Sequence, residues 1–319
     1  MMRLLVIIPA FNEEEHVGEV IKGIPKKIPG ISEIKVVVID DGSTDNTVKT
    51  AEDSGAMVIQ NYFNMGLGVT FNRGLQYAID NNFDGMVNID ADGQFAPEDI
   101  VRLLKPIQNN EADFVTGSRF IDKNYCPKMP LIKFWGNKMM AYWISRLIGR
   151  KFYDVSCGFR AYSKEALLSL NLQGKFTYTQ EAFLNLAFKR LRIREVPIKV
   201  EYSANRRSKI APNVFTYGLR TAKIIFRTYR DYKPLAFFIR IGTFFFLGAL
   251  FFEAILFFTY LTRGTFTPHI WSGFVGAVFL FISIVFFVIG LLADMTDRIR
   301  LNQEKILYYL KKQKINRKS

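Results

Sequence analysis

The run KVVVIDDGSTDNT, residues 35–47, decides the fold. Four β-branched residues lead into paired carboxylates, Asp40 and Asp41. A glycine follows, then Ser43, Thr44 and Asp45, residue types suited to opening a helix. A strand that stops on acids and hands over to a helix is one βα unit. The pattern recurs on either side: LLVIIP (4–9), AMVIQ (56–60), GMVNID (85–90) and DFVTG (113–117) are further short apolar runs. Polar stretches separate them, one of them opened by Pro97, Glu98 and Asp99. Strands alternating with helices predict an α/β domain over residues 1–205, a doubly wound, mostly parallel sheet.

In such sheets ligands sit beyond the carboxyl ends of the strands. Three strand ends here carry acids: Pro9-Ala10-Phe11-Asn12-Glu13-Glu14-Glu15 after the first, Asp40-Asp41 after the second, and Asp90-Ala91-Asp92-Gly93-Gln94 after the fourth. There is no Gly-rich phosphate loop, because GLG (66–68) lacks the further glycines and lysine that such a loop needs. A cleft lined only by acids repels a phosphorylated substrate, so a divalent cation is implied. Asp90 and Asp92 stand two apart, and a turn is needed to bring both carboxylates to one ion. Hard oxygen ligands favour Mg²⁺ or Mn²⁺.

Composition narrows the classes. The chain has 319 residues and a formal net charge of +14. Residues 1–200 hold 25 basic and 23 acidic side chains, whereas 201–319 hold 18 and 6. The basic surplus therefore belongs to the C-terminal third, which excludes a uniformly basic nucleic-acid binder. Two cysteines, Cys126 and Cys157, cannot make a disulfide scaffold or a four-cysteine zinc site. The apolar run that ends at Pro9 is too short for a signal-peptide core, and acids follow it.

The C-terminal third reads as a membrane anchor. Residues 241–262 carry a single charge, Glu253, and residues 270–293 carry none. At about 1.5 Å per residue, either stretch crosses a hydrocarbon core of about 30 Å. Glu253, at mid-span, is expected to be protonated or turned toward another helix. Lys and Arg crowd the approach (Arg220, Lys223, Arg227, Arg230, Lys233) and the tail (Lys311, Lys312, Lys314, Arg317, Lys318). The positive-inside rule therefore predicts cytoplasmic termini and a cytoplasmic N-terminal domain. Residues 206–234 form a basic juxtamembrane segment in which 213–230 read as an amphipathic helix on an anionic surface or packed on the main domain. The expected division is 1–205, 206–234 and 235–319. Two membrane helices and Glu253 hint at self-association without setting a stoichiometry.

IIPAFNEEE, VVVIDDGSTDNT, NIDADGQ and TGSRF, in that order, resemble glycosyltransferase family 2, with its GT-A fold and nucleotide-sugar donor. DVSCGFRAYS (154–163), TQEAF (179–183) and the membrane hairpin are similar to the polyprenyl-phosphate branch, which serves dolichyl or undecaprenyl phosphate. Many relatives read Asp-Ala-Asp-Leu-Gln-His, whereas here Gly93 and Phe95 flank Gln94. The resemblance implies a nucleoside pocket lined by Pro9, Phe11, Glu13, Ile39 and Asp41, with Glu13 on the ribose and Asp41 on the base. It implies a metal on Asp90, Asp92 and Gln94, with Ala91 against the donor. Arg119 would meet donor or acceptor phosphate, and Lys209 with Arg206 or Arg207 would steady phosphates at the membrane.

The reaction so implied inverts the anomeric carbon of a UDP-hexose, with GDP-mannose as the other donor. Asp92 and Arg119 belong to the catalytic set. Asp154 is the best remaining acid, serving either as base or orienting group, or in a structural salt bridge to Arg160 or another cation. Cys157 reads as a packed residue. Two other readings stand beside this one: a processive polysaccharide synthase, whose Gln-x-x-Arg-Trp motif is missing from the expected region, and a non-catalytic membrane-tethered nucleotide-binding module.

Overall fold

The computed structural model describes residues 1–127, 129, 131–172, 178–200, 222–223, 226–227 and 229–316. It divides into two units: Met1–Ile225 with Ile306–Ser319, and Phe226–Lys305. Arg206, Arg207, Lys209 and most of the juxtamembrane segment lie outside the described residues.

The first unit is built on seven strands: β1 (Met2–Ala10), β2 (Ile31–Asp40), β3 (Met57–Gln60), β4 (Gly85–Asn88), β5 (Phe114–Ser118), β6 (Arg160–Ser163) and β7 (Ile193–Pro197). They lie in the order β3-β2-β1-β4-β6-β5-β7, and only β6 runs against its neighbours. The five runs read from the sequence are the first five strands. Beyond them lie β6 and β7. Their segments RAYS and IREVP are short and polar enough to give little period-2 signal.

Helices α1 (Val17–Gly23), α2 (Thr47–Asp53), α3 (Leu67–Asp80), α4 (Ile100–Gln108), α5 (Leu131–Ile148), α6 (Lys164–Ser169) and α7 (Thr179–Phe188) connect the strands. Apolar clusters form two distinct cores. One gathers Leu5, Ile7, Ile39 and Phe71 with Phe114, Tyr162 and Phe183; the other gathers Leu4, Val6 and Ile8 with Val20, Leu103 and Val115. Successive β1 residues thus serve opposite cores, as period-2 strand geometry requires of a sheet covered on both faces.

Parallel register aligns the strand ends: Ala10 lies opposite Asp40, Asp40 opposite Gln60, and Ile7 opposite Asn88. Because β6 is antiparallel, its first residue pairs with the last residue of β4, Arg160 with Asn88. The stretch Asp154–Phe159 therefore enters the same sheet edge as the aspartates that follow β4.

The second unit holds α8 (Pro234–Arg263) and most of α9 (Ile270–Asn316), both longer than the expected spans. Their most apolar windows are only 11 % and 17 % buried, which separates them from core helices of a soluble domain. They pack through small residues and rings. Ser283 Oγ donates to the Gly242 carbonyl at 2.9 Å, and Phe245 stacks on Phe286. Glu253 turns toward α9, its Oε1 2.7 Å from where a Cβ on Gly276 would stand. Residues 306–316, expected in a tail, belong instead with the first unit. There Ile315 is 4 % exposed within the core cluster, Lys311 Nζ donates to the Leu170 carbonyl at 2.7 Å, and Tyr308 OH donates to Glu165 Oε2 at 2.8 Å.

Candidate active site

The loops after β1 and β2 are laced together by side-chain to backbone hydrogen bonds. Asn12 takes φ +53, a left-handed conformation that asparagine tolerates. There its N–H donates to Ser43 Oγ and its Oδ1 accepts from Thr44 N, both at 2.9 Å. Glu13 N donates to Thr47 Oγ1 at 2.7 Å, and Asn46 N donates to Glu14 Oε2 at 2.9 Å. Asp40 is fully buried and accepts from Gly42 N, Ser43 N and Ser43 Oγ, so it organises its own turn. Gly42 is required twice: its φ is +75, and a Cβ there would meet the Phe63 backbone at 2.6 Å.

Of the expected nucleoside-pocket residues, Glu13 and Asp41 are brought to this edge. Both carboxylate oxygens of Asp41 are engaged, by Asn61 Nδ2 at 2.8 Å and by Met65 N and Gly66 N at 2.9 Å. Phe11 is half-buried beside them. Pro9 is buried, and the Ile39 side chain is committed to the core. Ala91 likewise packs into the second core, 2 % exposed.

Asp90 and Asp92 follow β4. Part of Asp90 reaches solvent, yet its carboxyl lies among protein atoms. Burial pushes it up to about 7, and Asp92 and Glu13 add to the rise, against Arg160 and Arg119. Gly158 leaves the room it occupies, for a Cβ there would stand 2.6 Å from Asp90 Oδ2. Asp92 Oδ1 accepts from Gln94 N at 3.1 Å, a local turn just after β4. Among the described residues no three His, Cys, Asp or Glu side chains gather into a ready-made metal cluster. Two hard carboxylates close enough that Asp92 adds to the rise of the Asp90 carboxyl, in a cradle kept open by glycine, suit a Mg²⁺ or Mn²⁺ ion whose other ligands are waters and phosphate oxygens.

Arg119, just after β5, pairs with Asp154. Its Nε donates to Oδ2 at 2.6 Å and its Nη2 to Oδ1 at 2.9 Å. Nη2 also reaches Ser156 Oγ at 2.7 Å, and Ser156 Oγ donates to Asn137 Oδ1 of α5 at 2.9 Å. Asp154 is fully buried. Against the cost of burial, the Arg119 guanidinium holds its carboxyl below the ordinary range. Asp154 thus pairs with Arg119 rather than with Arg160. On β7, Glu195 accepts from Asp154 N at 2.7 Å, and burial pushes its carboxyl up to about 7. Cys157 is buried, its thiol pushed up to about 12 by burial, so it is a packed residue and no nucleophile.

Sequence reading missed Arg160 as a part of the site's frame. It is fully buried, donating to the Thr179 carbonyl at 2.6 Å and the Val155 carbonyl at 3.0 Å, with its guanidinium 5.4 Å from the Phe114 ring centre. Asn88 Nδ2 donates to the Gly158 carbonyl and to Tyr178 OH, pinning the same loop. Only the antiparallel course of β6 brings these groups beside Asp90.

Strand-end carboxylates on a mostly parallel sheet, an arginine fixed at the next strand end and two membrane-length helices define a glycosyltransferase of the GT-A type. The chain belongs to glycosyl transferase family 2, whose description matches residues 5–170. It is 33 % identical over 220 residues to a UDP-N-acetylglucosamine–dolichyl-phosphate N-acetylglucosaminyltransferase of Methanococcus voltae, covering 63 % of this chain and 86 % of that protein. It is 30 % identical over 181 residues to an undecaprenyl-phosphate mannosyltransferase of Micrococcus luteus, covering 54 % and 70 %. Among solved structures, glucosyl-3-phosphoglycerate synthase of Mycobacterium tuberculosis, in complex with Mn²⁺, UDP and glucosyl-3-phosphoglycerate, superposes with a TM-score of 0.55 over 72 % of this chain and 80 % of that one. At 22 % identity it speaks to the fold alone.

Proposed function

We propose that this protein moves one sugar from a nucleoside-diphosphate sugar, a UDP-hexose in preference to GDP-mannose, onto the phosphate of a polyprenyl phosphate, dolichyl or undecaprenyl, at a membrane. The observation that carries the reading is the Asp90–Asp92 turn and the Arg119–Asp154 pair on one sheet edge, in a chain with two membrane-length helices. The names of its relatives, acting on dolichyl and undecaprenyl phosphates, support the acceptor class.

Asp90 and Asp92, with Gln94 beside them, would hold a divalent cation. When bound, such an ion neutralises charge on the departing diphosphate. Glu13 and Asp41 fit the donor's ribose and base, with Phe11 and the backbone at Pro9, Ile39 and Ala91 around them. Arg119 presents its cation to a phosphate while Asp154 holds it in orientation. A phosphate monoester has a second pKa of about 6 and reaches the site mostly ionised at neutral pH, so no protein base is required. That fits an Asp154 whose carboxyl is held low, since such a group is a poor proton acceptor. Arg206, Arg207 and Lys209 would contribute further positive charge. Attack from the face opposite the leaving group inverts the anomeric carbon. The catalytic domain and both termini face the cytoplasm in this reading.

The test is incubation of the full chain in membranes with labelled nucleotide sugars and polyprenyl phosphates. A single-sugar lipid with an inverted anomeric centre is expected. A polymer indicates a processive synthase, and absence of product with every donor indicates a binding module; either overturns the proposal.

A further inference from the structure

The proposed reaction leaves one acid beside the site unused. Glu195 lies on β7, an edge strand of the sheet, where a charge ordinarily faces solvent and blunts pairing with another chain. Its neighbour Arg194 does face solvent, but Glu195 is half-buried. Its carboxyl is spent on the main chain of the loop that leads into β6. Oε1 accepts from Asp154 N at 2.7 Å and from Tyr153 N at 3.0 Å, and Oε2 accepts from Tyr153 N at 2.9 Å. Burial and the Asp154 carboxyl push its titration up to about 7, so the group is held there at a cost.

Those bonds hold the group that holds Arg119. The Asp154 carboxyl accepts from Arg119 Nε, Nη2 and main-chain N at 2.6, 2.9 and 3.2 Å. A bidentate pair of this kind can shift as one body, so its place depends on what fixes the loop's main chain. Ser156 anchors the far side of the loop on Asn137 of α5. The near side, at Tyr153 and Asp154, is left to Glu195. In the parallel register of β7 with β5, Glu195 stands opposite Thr116, on the strand that ends just before Arg119. Glu195 thereby ties the loop that bears Asp154 to the strand pair that bears Arg119. We propose that Glu195 is the positioning residue for Arg119: it fixes the main chain at Tyr153 and Asp154, Asp154 fixes the guanidinium, and the guanidinium meets the reacting phosphate. Glu195 itself touches no substrate. This rests on the sugar-transfer reading, with Arg119 as its phosphate-facing cation, and a displacement of about 1 Å in such a group can cost about 10²-fold in rate.

The test compares two variants of the full chain in membranes. Glu195→Met keeps the side chain's length without an acceptor, and Glu195→Gln keeps one oxygen where the two N–H groups converge. Transfer of labelled sugar to polyprenyl phosphate is measured beside the melting temperature. Glu195→Met is expected to lower kcat/KM by about 10–100-fold. Glu195→Gln is expected to recover it to within about threefold of the parent. In an Arg119→Lys background the fork on Asp154 is already lost, so there Glu195→Met should change the rate by less than about twofold. A Met variant as active as the parent, a Gln variant as impaired as Met, or the full drop recurring beside Arg119→Lys would each overturn the proposal. If Glu195→Met shows no cooperative melting, Glu195→Asp, whose acid falls one methylene short, takes its place with the same expectations. A parent that makes no lipid product removes the sugar-transfer reading and this inference with it. An active parent indifferent to residue 195 removes the inference alone.

Discussion

At the scale of single residues, the site divides into groups that meet ligand and groups that hold them. Asp92 is half-buried on the loop after β4 and contributes no buried apolar packing. Asp92→Asn should therefore lower lipid product formation by about 10²–10³-fold with an unchanged melting temperature. Asp90 must lose its proton before it can bind an ion, and that proton leaves near pH 7. Half-saturating Mn²⁺ should consequently rise about tenfold for each pH unit below about 7, measured by titrating activity at several pH values; a flat profile would remove Asp90 from the ligand set. Asp154 behaves in the opposite sense. Its folded-state pKa is depressed, so its stabilisation is complete above the unfolded carboxylate value and is lost as pH falls through the folded one. Asp154→Asn should cost about 3–5 kcal/mol near neutrality by leaving Arg119 buried without its partner. It should also flatten the acid limb of the melting curve against pH.

Among elements, those with one strong period were legible. LLVIIP, KVVVID and GMVNID are apolar runs with acids at or a few residues beyond their ends, and they became β1, β2 and β4 with the site at their ends. RAYS was not legible, because four residues of mixed polarity carry no period; with it went the placement of Arg160, whose burial depends on a long-range antiparallel pairing. The expected partner of Asp154 was open for the same reason, since nothing local says that residue 119 on one strand end faces residue 154. The far end of α9 was read as a basic tail from its lysines, yet Ile315 sits among core residues and Lys311 spans to the carbonyl end of α6. Ile315→Ala should destabilise the catalytic unit by about 2–5 kcal/mol, seen as a lowered melting temperature of the detergent-solubilised chain. No shift would place this segment outside the core.

For the molecule as a whole, the arrangement in the membrane is the open quantity that one thiol can report. Cys126 is exposed and Cys157 is buried with its thiol pushed up to about 12. A membrane-impermeant maleimide should therefore label one site per chain, and should do so only after cells are permeabilised, if the catalytic unit faces the cytoplasm. Labelling of intact cells would reverse the orientation drawn from Lys and Arg on the helix flanks.

Residues 306–316 join the catalytic unit only after both spans have passed in chain order. Domains ordinarily fold as units while synthesis continues, but here the ribosome delivers Ile315 once the hairpin has already been made. Closure of the enzyme's interior is thereby deferred until the hairpin has been synthesised, so a chain cut short after the second span would keep an unsealed hydrophobic seam where Ile315 belongs.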